Sequence, residues 1–335
     1  MFEVERSKIK IYGVFLFALF LLVIGTMASV LIGATHTGVG TFIGALFNPD
    51  GSKEQVVIRT LRLPRAVLAI IVGANLAVAG ALMQALTRNP LASPQVFGVN
   101  AGASLIVVSS LVLFPAMSAS TTVYFALLGA LLGGIVVYSF ASGGGITDVK
   151  LALAGMAVHL FLSSLTQAFI VMSEQAKDVL YWLVGAIDGK DWSHVQIILP
   201  WAIVGLIAAI LCAKSISIFV LGESVAQGLG LKVKGIRILV SLIVVILAGS
   251  SVAVAGPIGF VGLIVPHIVR KIFGSGNYTI ILPFSALFGA VLMVYADVLS
   301  RFIAYPFESP VGIVTALIGA PFFLYLATKR KEAKS

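Results

Sequence analysis

Four arginines, Arg59, Arg62, Arg65 and Arg301, are the residues of this chain best suited to recognition chemistry. The first three recur at i, i+3 and i+6 and would share a helical face, although Pro64 interrupts that geometry. A guanidinium offers a planar fork of donors matched to carboxylates. The set therefore suits docking of an acidic partner, capture of an anionic substrate, or snorkelling of charged heads out of lipid. A second candidate lies at 215–237, SISIFVLGESVAQGLGLKVKGIR, where Leu221, Val225 and Leu229 fall at i, i+4 and i+8. Glu223 near the start suits the helix dipole, and Gly228 and Gly230 supply a stop. This segment reads as a short amphipathic helix that either docks in a groove of a partner or lies among lipid headgroups.

Other chemistry is poorly supplied. No G-x-x-x-x-G-K-[ST] phosphate cradle exists, and the run Gly143-Gly144-Gly145 lacks the lysine and reads as a flexible inner loop. His36, His159, His194 and His267 are scattered, with no metal-ligand spacing. His159 falls within a membrane helix, where it lines a path or, as the reading favoured here, packs neutral against a neighbour. The lone Cys212 excludes an internal disulfide framework and suits packing. The 13 acidic residues fall in loops or at helix ends, with Asp297 the deepest. An ion-coupled carrier usually needs midplane acids, or sodium sites built from carbonyls, so the first are missing and any pumping must be powered from outside the chain. No catalytic group, metal or cofactor is expected.

The elements that position these residues follow from composition. Hydrophobic residues make up 59% of the 335 and charged residues 10%, against about 25% charged in soluble domains. Such a chain cannot clothe a soluble surface, and an all-α integral membrane protein in the lipid bilayer is expected. The net charge of +9 is dispersed over short loops with no interleaved aromatics, so no nucleic acid is implied. At about 20 residues per crossing, the charge-free runs predict about ten transmembrane helices, at 10–33, 64–87, 94–113, 121–141, 149–173, 195–213, 237–254, 258–271, 280–300 and 309–328. A cytoplasmic loop spans 214–236, and residues 1–335 form a single transmembrane domain. With the N-terminus inside, 15 Lys and Arg fall on the inner side and 7 on the outer, which puts both termini in the cytoplasm. Small residues four apart, as in Gly73/Ala77, Gly98/Gly102 and Gly129/Gly133, suit close helix packing in lipid.

Several runs, in order along nearly the whole length, resemble the FecCD-type permeases of ABC importers for iron–siderophore complexes, haem or cobalamin. They are RLPR at 62–65, GALMQ at 80–84, NPLASP at 89–94 and FGVNAG at 97–102. WLVG at 182–185 with Asp191-Trp192, LGE at 221–223, GLG at 228–230, GPIGFVGLIVPH at 256–267, PVG at 310–312 and GAP at 319–321 complete them. The resemblance implies a type II ABC importer permease bundle in the cytoplasmic membrane of a bacterium. Its implied partners are a second permease, identical or homologous, two cytoplasmic ABC ATPases and an extracytoplasmic binding protein. It implies coupling to the ATPase through Leu221, Gly222, Glu223, Ala226, Gly228, Leu229 and Gly230. Arg59, Arg62 and Arg301 would meet acidic residues of the binding protein, with Arg65 capping the second helix instead. Asn89, Pro90 and Pro94, and Gly256, Pro257 and Pro266, are hinge or gate candidates in an alternating-access cycle. The path itself is expected to be mostly apolar, and the favoured cargo is an iron(III)–siderophore.

Overall fold

A computed structural model describes residues 2–33, 37–94, 98–114, 117–141, 148–172, 176–274, 276–303 and 307–332. His36, Phe97 and Gly143–Gly145 lie outside these residues. The chain is an all-α multi-pass bundle whose helices are α1 (Phe2–Leu31), α2 (Val39–Phe47), α3 (Lys53–Val57), α4 (Leu63–Leu86), α5 (Val99–Leu113), α6 (Ala119–Ala141) and α7 (Asp148–Val171). They continue as α8 (Ala176–Val184), α9 (Trp192–Val220), α10 (Glu223–Gly228), α11 (Val233–Ala255), α12 (Val261–Phe273), α13 (Tyr278–Ile303) and α14 (Val311–Glu332). Seven described helical segments are long and apolar enough to cross a membrane, and Val99–Leu113 and Val311–Leu326 are shorter apolar helices.

Helix α4 is the axis of the bundle. It packs against α13, α11, α12 and α9 and is buried along almost its whole length, whereas α1 and α7 leave most of their apolar surface outward, as lipid-facing or partner-facing helices do. Two close crossings hold it. A Cβ at Gly73 would sit 2.2 Å from the Gly289 carbonyl oxygen on α13, and one at Gly80 would sit 1.9 Å from that of Gly262 on α12. The Gly98/Gly102 pair meets Gly129/Gly133 in the same way, fastening α5 to α6. Without water to drive apolar association, such backbone approach supplies the dispersion contacts that join the helices.

Pro64 does not break the first arginine face. A π-helical turn, Ile58–Arg62, joins α3 to α4 where the proline removes the donor that would reach back to Thr60, so Lys53 to Leu86 is one continuous rod. Helix α9 also outruns its predicted end at 213. Ile216 and Phe219 are buried and hold the helix to Val220, which leaves 221–232 as the exposed connection. Its start is fixed by a capping box, in which the Asp191 carboxylate accepts from the Ser193 backbone N–H at 3.0 Å and pairs with His194 Nδ1 at 2.8 Å. Hydrogen bonds from Ser193 and then His194 hold the Asp191 carboxyl down at about 2.

Candidate functional site

At one end of the bundle the arginines form a buried ionic cluster. Asp297 on α13 is fully buried and accepts from Arg65 Nε at 2.8 Å, Arg301 Nη2 at 2.6 Å and Ser29 Oγ at 3.2 Å. Arg65 also pairs with Glu308, just before α14. Arg301 donates through Nη1 to the Ser29 carbonyl at 2.7 Å and to that of Ile32. Arg62 donates to the Val30 and Leu31 carbonyls at 2.9 and 3.2 Å and to Thr37 Oγ1 at 2.9 Å. The last carbonyls of α1 have no intrahelical donors, so these guanidiniums cap that helix from its neighbours.

The three arginines expected to dock a partner are therefore placed differently. Arg62 and Arg301 are 7% and 6% exposed with their heads turned inward, because the carbonyls and Asp297 solvate them better than a rim position would. Arg59 alone of the three is on the surface, and its carbonyl accepts from Trp192 Nε1 at 2.7 Å. Arg65, read as a helix cap, is instead the bridge between Asp297 and Glu308.

Helix α9 starts beside Arg59 and ends, 29 residues on, at the opposite end of the bundle. There Gly222, at φ +126°, turns the chain into α10, and Gly230, at φ +80°, leads it out; both conformations favour glycine. Gly228 has ordinary φ and open space around it, so its backbone makes no such demand. Ala226 is buried, while Leu221, Val225 and Leu229 are 66%, 47% and 63% exposed. Glu223 pairs with Arg237 at the start of α11. The buried Phe219 ring has two guanidiniums near it, Arg88 and Arg237, 5.3 and 5.9 Å from its centroid. Arg88 also donates to the Phe219 carbonyl at 3.3 Å. The apolar loop is thus linked by a short chain of contacts to the end of α4 and the turn that follows it.

That turn is tightly made. The Leu91 and Ala92 amides donate to the Asn89 side chain and carbonyl at 3.0 and 3.1 Å, Pro90 sits within it, and Pro94 lies against Gly262. The second candidate break is narrower than expected. Helix α11 stops at Ala255, α12 resumes at Val261, and Pro257 falls between them, but Pro266 lies inside α12. A proline there strips the Gly262 carbonyl of its helical donor. Gln84 Nε2 replaces it at 3.1 Å, which lets the helix run through.

Gly256 is strained for any side chain, with φ +72° and a would-be Cβ 2.2 Å from the Trp182 carbonyl oxygen. The Ala186 amide donates to the Ala255 carbonyl at 2.8 Å, and the Gly312 amide to the Gly185 carbonyl at 3.0 Å, so the end of α8 locks the break against α14. Gly256→Ala is expected to lower the yield of folded protein and its unfolding temperature, by more than the roughly 1 kcal/mol of an unfavourable backbone alone. Pro257→Ala, which meets no such clash, should leave both near wild type. Size-exclusion profiles and thermal unfolding in detergent check this pair, and only Pro257→Ala then reports on hinge motion.

His159 departs from its sequence reading. It is exposed on α7 and lines an open, mostly apolar cavity in which Asn100, Ser104, Ser163, Thr166 and Gln167 supply the polar groups, rather than packing into a helix contact. The polar row at i, i+4, i+7 and i+8 on an otherwise apolar span was the signal in the sequence.

A multi-pass helical bundle, with a buried ionic clamp at one end and an exposed apolar loop at the other, is the architecture of a membrane permease. The chain belongs to the FecCD transport family, whose pattern it matches over residues 21–329. It is 60% identical over 330 residues to the Fe(3+)-citrate import system permease protein YfmD of Bacillus subtilis, covering 98% of each chain. It is 42% identical to the iron(3+)-hydroxamate import system permease protein FhuB of the same organism, covering 96% of this chain and 85% of that one. Among solved structures, a metal-chelate type ABC transporter in an inward-facing conformation matches with a TM-score of 0.84 at 29% identity, covering 95% of this chain and 98% of that one.

Proposed function

We propose that this chain is the permease subunit of an ABC importer that carries an iron(III)–siderophore across the cytoplasmic membrane by alternating access. The observation that carries the reading is the exposed apolar face of Leu221, Val225 and Leu229, presented by a rigid turn and tied through Phe219 to the bundle. Three large side chains left to water at the bundle's end suit a groove in a cytoplasmic partner. Two ATPases would seat there and supply the free energy, while a second permease completes the path. Counting α5, α12 and α14 as shorter crossings beside the seven long spans supports ten in all, and the lysine and arginine bias favours both termini inside. The ionic cluster then lies outside, where Arg59 meets an acidic binding protein and Arg62 and Arg301 stiffen the rim beneath it. An exposed ion pair of this kind contributes about 0–1 kcal/mol, so Arg59 orients the binding protein more than it holds it.

An ion-coupled carrier is the weaker reading, because the buried acid Asp297 is committed to two arginines. The relative at 60% identity makes iron(III) citrate the first cargo to test. Cells lacking their own chelate permeases, given this chain with its ATPase and binding protein, should accumulate radioactive iron from iron(III) citrate and lose that uptake when ATP is depleted. Uptake that survives ATP depletion would sink the importer reading. No iron uptake alongside cobalamin or haem uptake would move the cargo and keep the mechanism.

A further inference from the structure

Arginines at the two ends of this bundle are held in opposite ways. At the Asp297 end, two guanidiniums share a buried carboxylate. At the end that carries the apolar loop, Arg270 in the last turn of α12 has neutral partners. Its Nη2 donates to Gln84 Oε1 on α4, and its guanidinium hydrogen-bonds the Tyr278 side chain at the start of α13. Among the described residues no carboxylate pairs with it. Tyr278 is buried, and its backbone N–H donates at 2.8 Å to Ser217 Oγ, two residues before Phe219 on α9. Ser217 Oγ donates in turn to the Ala213 carbonyl at 2.9 Å, so the hydroxyl is anchored to its own helix.

This chain of bonds fixes an amide on which α12 depends. A glutamine amide accepts at one end and donates at the other, whereas a guanidinium only donates. Arg270 therefore draws Oε1 of Gln84 to itself and leaves Nε2 facing the other way. There Nε2 meets the Gly262 carbonyl at 3.1 Å and that of Leu263 at 3.4 Å. The Gly262 carbonyl is the one that Pro266 leaves without a helical donor. Gly262 is also the point where α12 crosses α4 at Gly80, just beyond the irregular backbone at 256–260. Arg270 thus sets, through Gln84, how α12 is seated next to the break. Through Tyr278 and Ser217 it ties that seat to the base of the loop at 221–230.

Resting on the importer reading above, we propose that Arg270 is a positioning residue for coupling, which passes movement of the ATPase-docking loop to the break between α11 and α12. Coupling between distant sites travels through packed or hydrogen-bonded elements that have two arrangements. Here the element is the seat of α12, engaged when Gln84 holds the Gly262 carbonyl and released when it does not. The bonds of Arg270 go to neutral acceptors, which grip a guanidinium less tightly than a carboxylate does. They can be exchanged within a cycle while the Asp297 clamp stays closed. The route is separate from the Phe219 ring, whose cationic neighbours are Arg88 and Arg237.

The test uses the importer assembled with its ATPase and binding protein in lipid vesicles, with two readouts. One is radioactive iron taken up from iron(III) citrate per ATP hydrolysed. The other needs no cargo. With Cys212→Ser removing the native thiol, the thiol of Pro257→Cys is labelled by a water-soluble maleimide, with and without ATP trapped by vanadate. Arg270→Gln is expected to lower uptake per ATP about five- to tenfold, roughly the worth of one hydrogen bond. It should also abolish the ATP-dependent change in labelling, with ATPase association and membrane abundance near wild type. Arg270→Lys keeps a donor for Gln84 and should recover part of both. Tyr278→Phe removes only a hydroxyl and should lower uptake per ATP about two- to threefold. It should add nothing to Arg270→Gln, because residues acting in one chain are not additive, and it carries the test if Arg270→Gln fails to assemble. Wild-type uptake per ATP in both variants would overturn the proposal, as would labelling that still answers to ATP in Arg270→Gln. Lower membrane abundance with unchanged uptake per ATP would make Arg270 a purely structural residue and overturn it too. If ATP neither changes the labelling nor drives uptake with Arg270 and Tyr278 intact, the importer reading falls and this proposal with it.

Discussion

Replacing Asp297 with alanine is expected to remove most of the folded protein from the membrane. The carboxylate is fully buried and is the shared counter-charge of Arg65 and Arg301, which are themselves 8% and 6% exposed. Without it two guanidiniums face each other where water cannot solvate them, and breaking such a pair typically costs about 3–5 kcal/mol. Glu308 retains a contact with Arg65 alone, so Arg301 carries the larger loss. Asp297→Asn keeps an acceptor but no charge and should fall between wild type and alanine. Exchanging Arg301 for methionine in the Asp297→Ala background should recover part of the stability, because it removes the stranded charge. Membrane abundance and thermal unfolding in detergent measure all three. Wild-type stability in Asp297→Ala would mean that solvent reaches the cluster and that the clamp contributes little.

Aspartate at both Leu221 and Leu229 is expected to leave the permease folded and to abolish energised transport. The two side chains are exposed and outside α10's buried contact at Ala226, so the bundle loses little. Burying a leucine against a partner is worth about 1.5–3 kcal/mol, and two of them lost, with charge put in their place, should weaken ATPase binding at least about a hundredfold. Pull-down of the ATPase and radioactive iron uptake should fall together while membrane abundance holds. Phe219→Ala is the contrasting variant. It keeps the docking face but removes the ring that Arg88 and Arg237 both contact, so ATPase binding should persist while uptake per ATP drops. ATPase binding unchanged in the double aspartate variant would place the partner elsewhere.

Several features were legible in the sequence because lipid imposes them. A span with no charge on any face must be helical to satisfy its own backbone, so the charge-free runs at 66–87 and 238–254 announced helices before any packing was known. The loop at 221–230 was legible for a similar reason, since an apolar period of four in Leu221, Val225 and Leu229, with glycines at 222, 228 and 230, marks a short helical turn. The arginines were not. Their types and spacing suit an acidic partner equally well inside or outside the molecule, and only α1 and α13 arriving beside α4 supply Ser29, the Val30 and Leu31 carbonyls and Asp297 as that partner. How the helix runs through Pro266 was not legible, because the donor that replaces its lost hydrogen bond, Gln84, is 178 residues from Gly262 in the chain.

The sequence by itself determined that the chain is an all-α bundle of membrane helices, where its long apolar runs lie, where the apolar loop falls and to which family it is similar. These follow from local rules: the length and apolarity a bilayer demands, the helical period, and the glycines that end a turn. The tertiary structure alone decided which arginines are spent internally, which proline is rescued, and that Asn100 and the polar row of α7 line one open cavity. Those outcomes depend on side chains far apart in sequence competing for the few hydrogen-bond partners that exist once water is excluded.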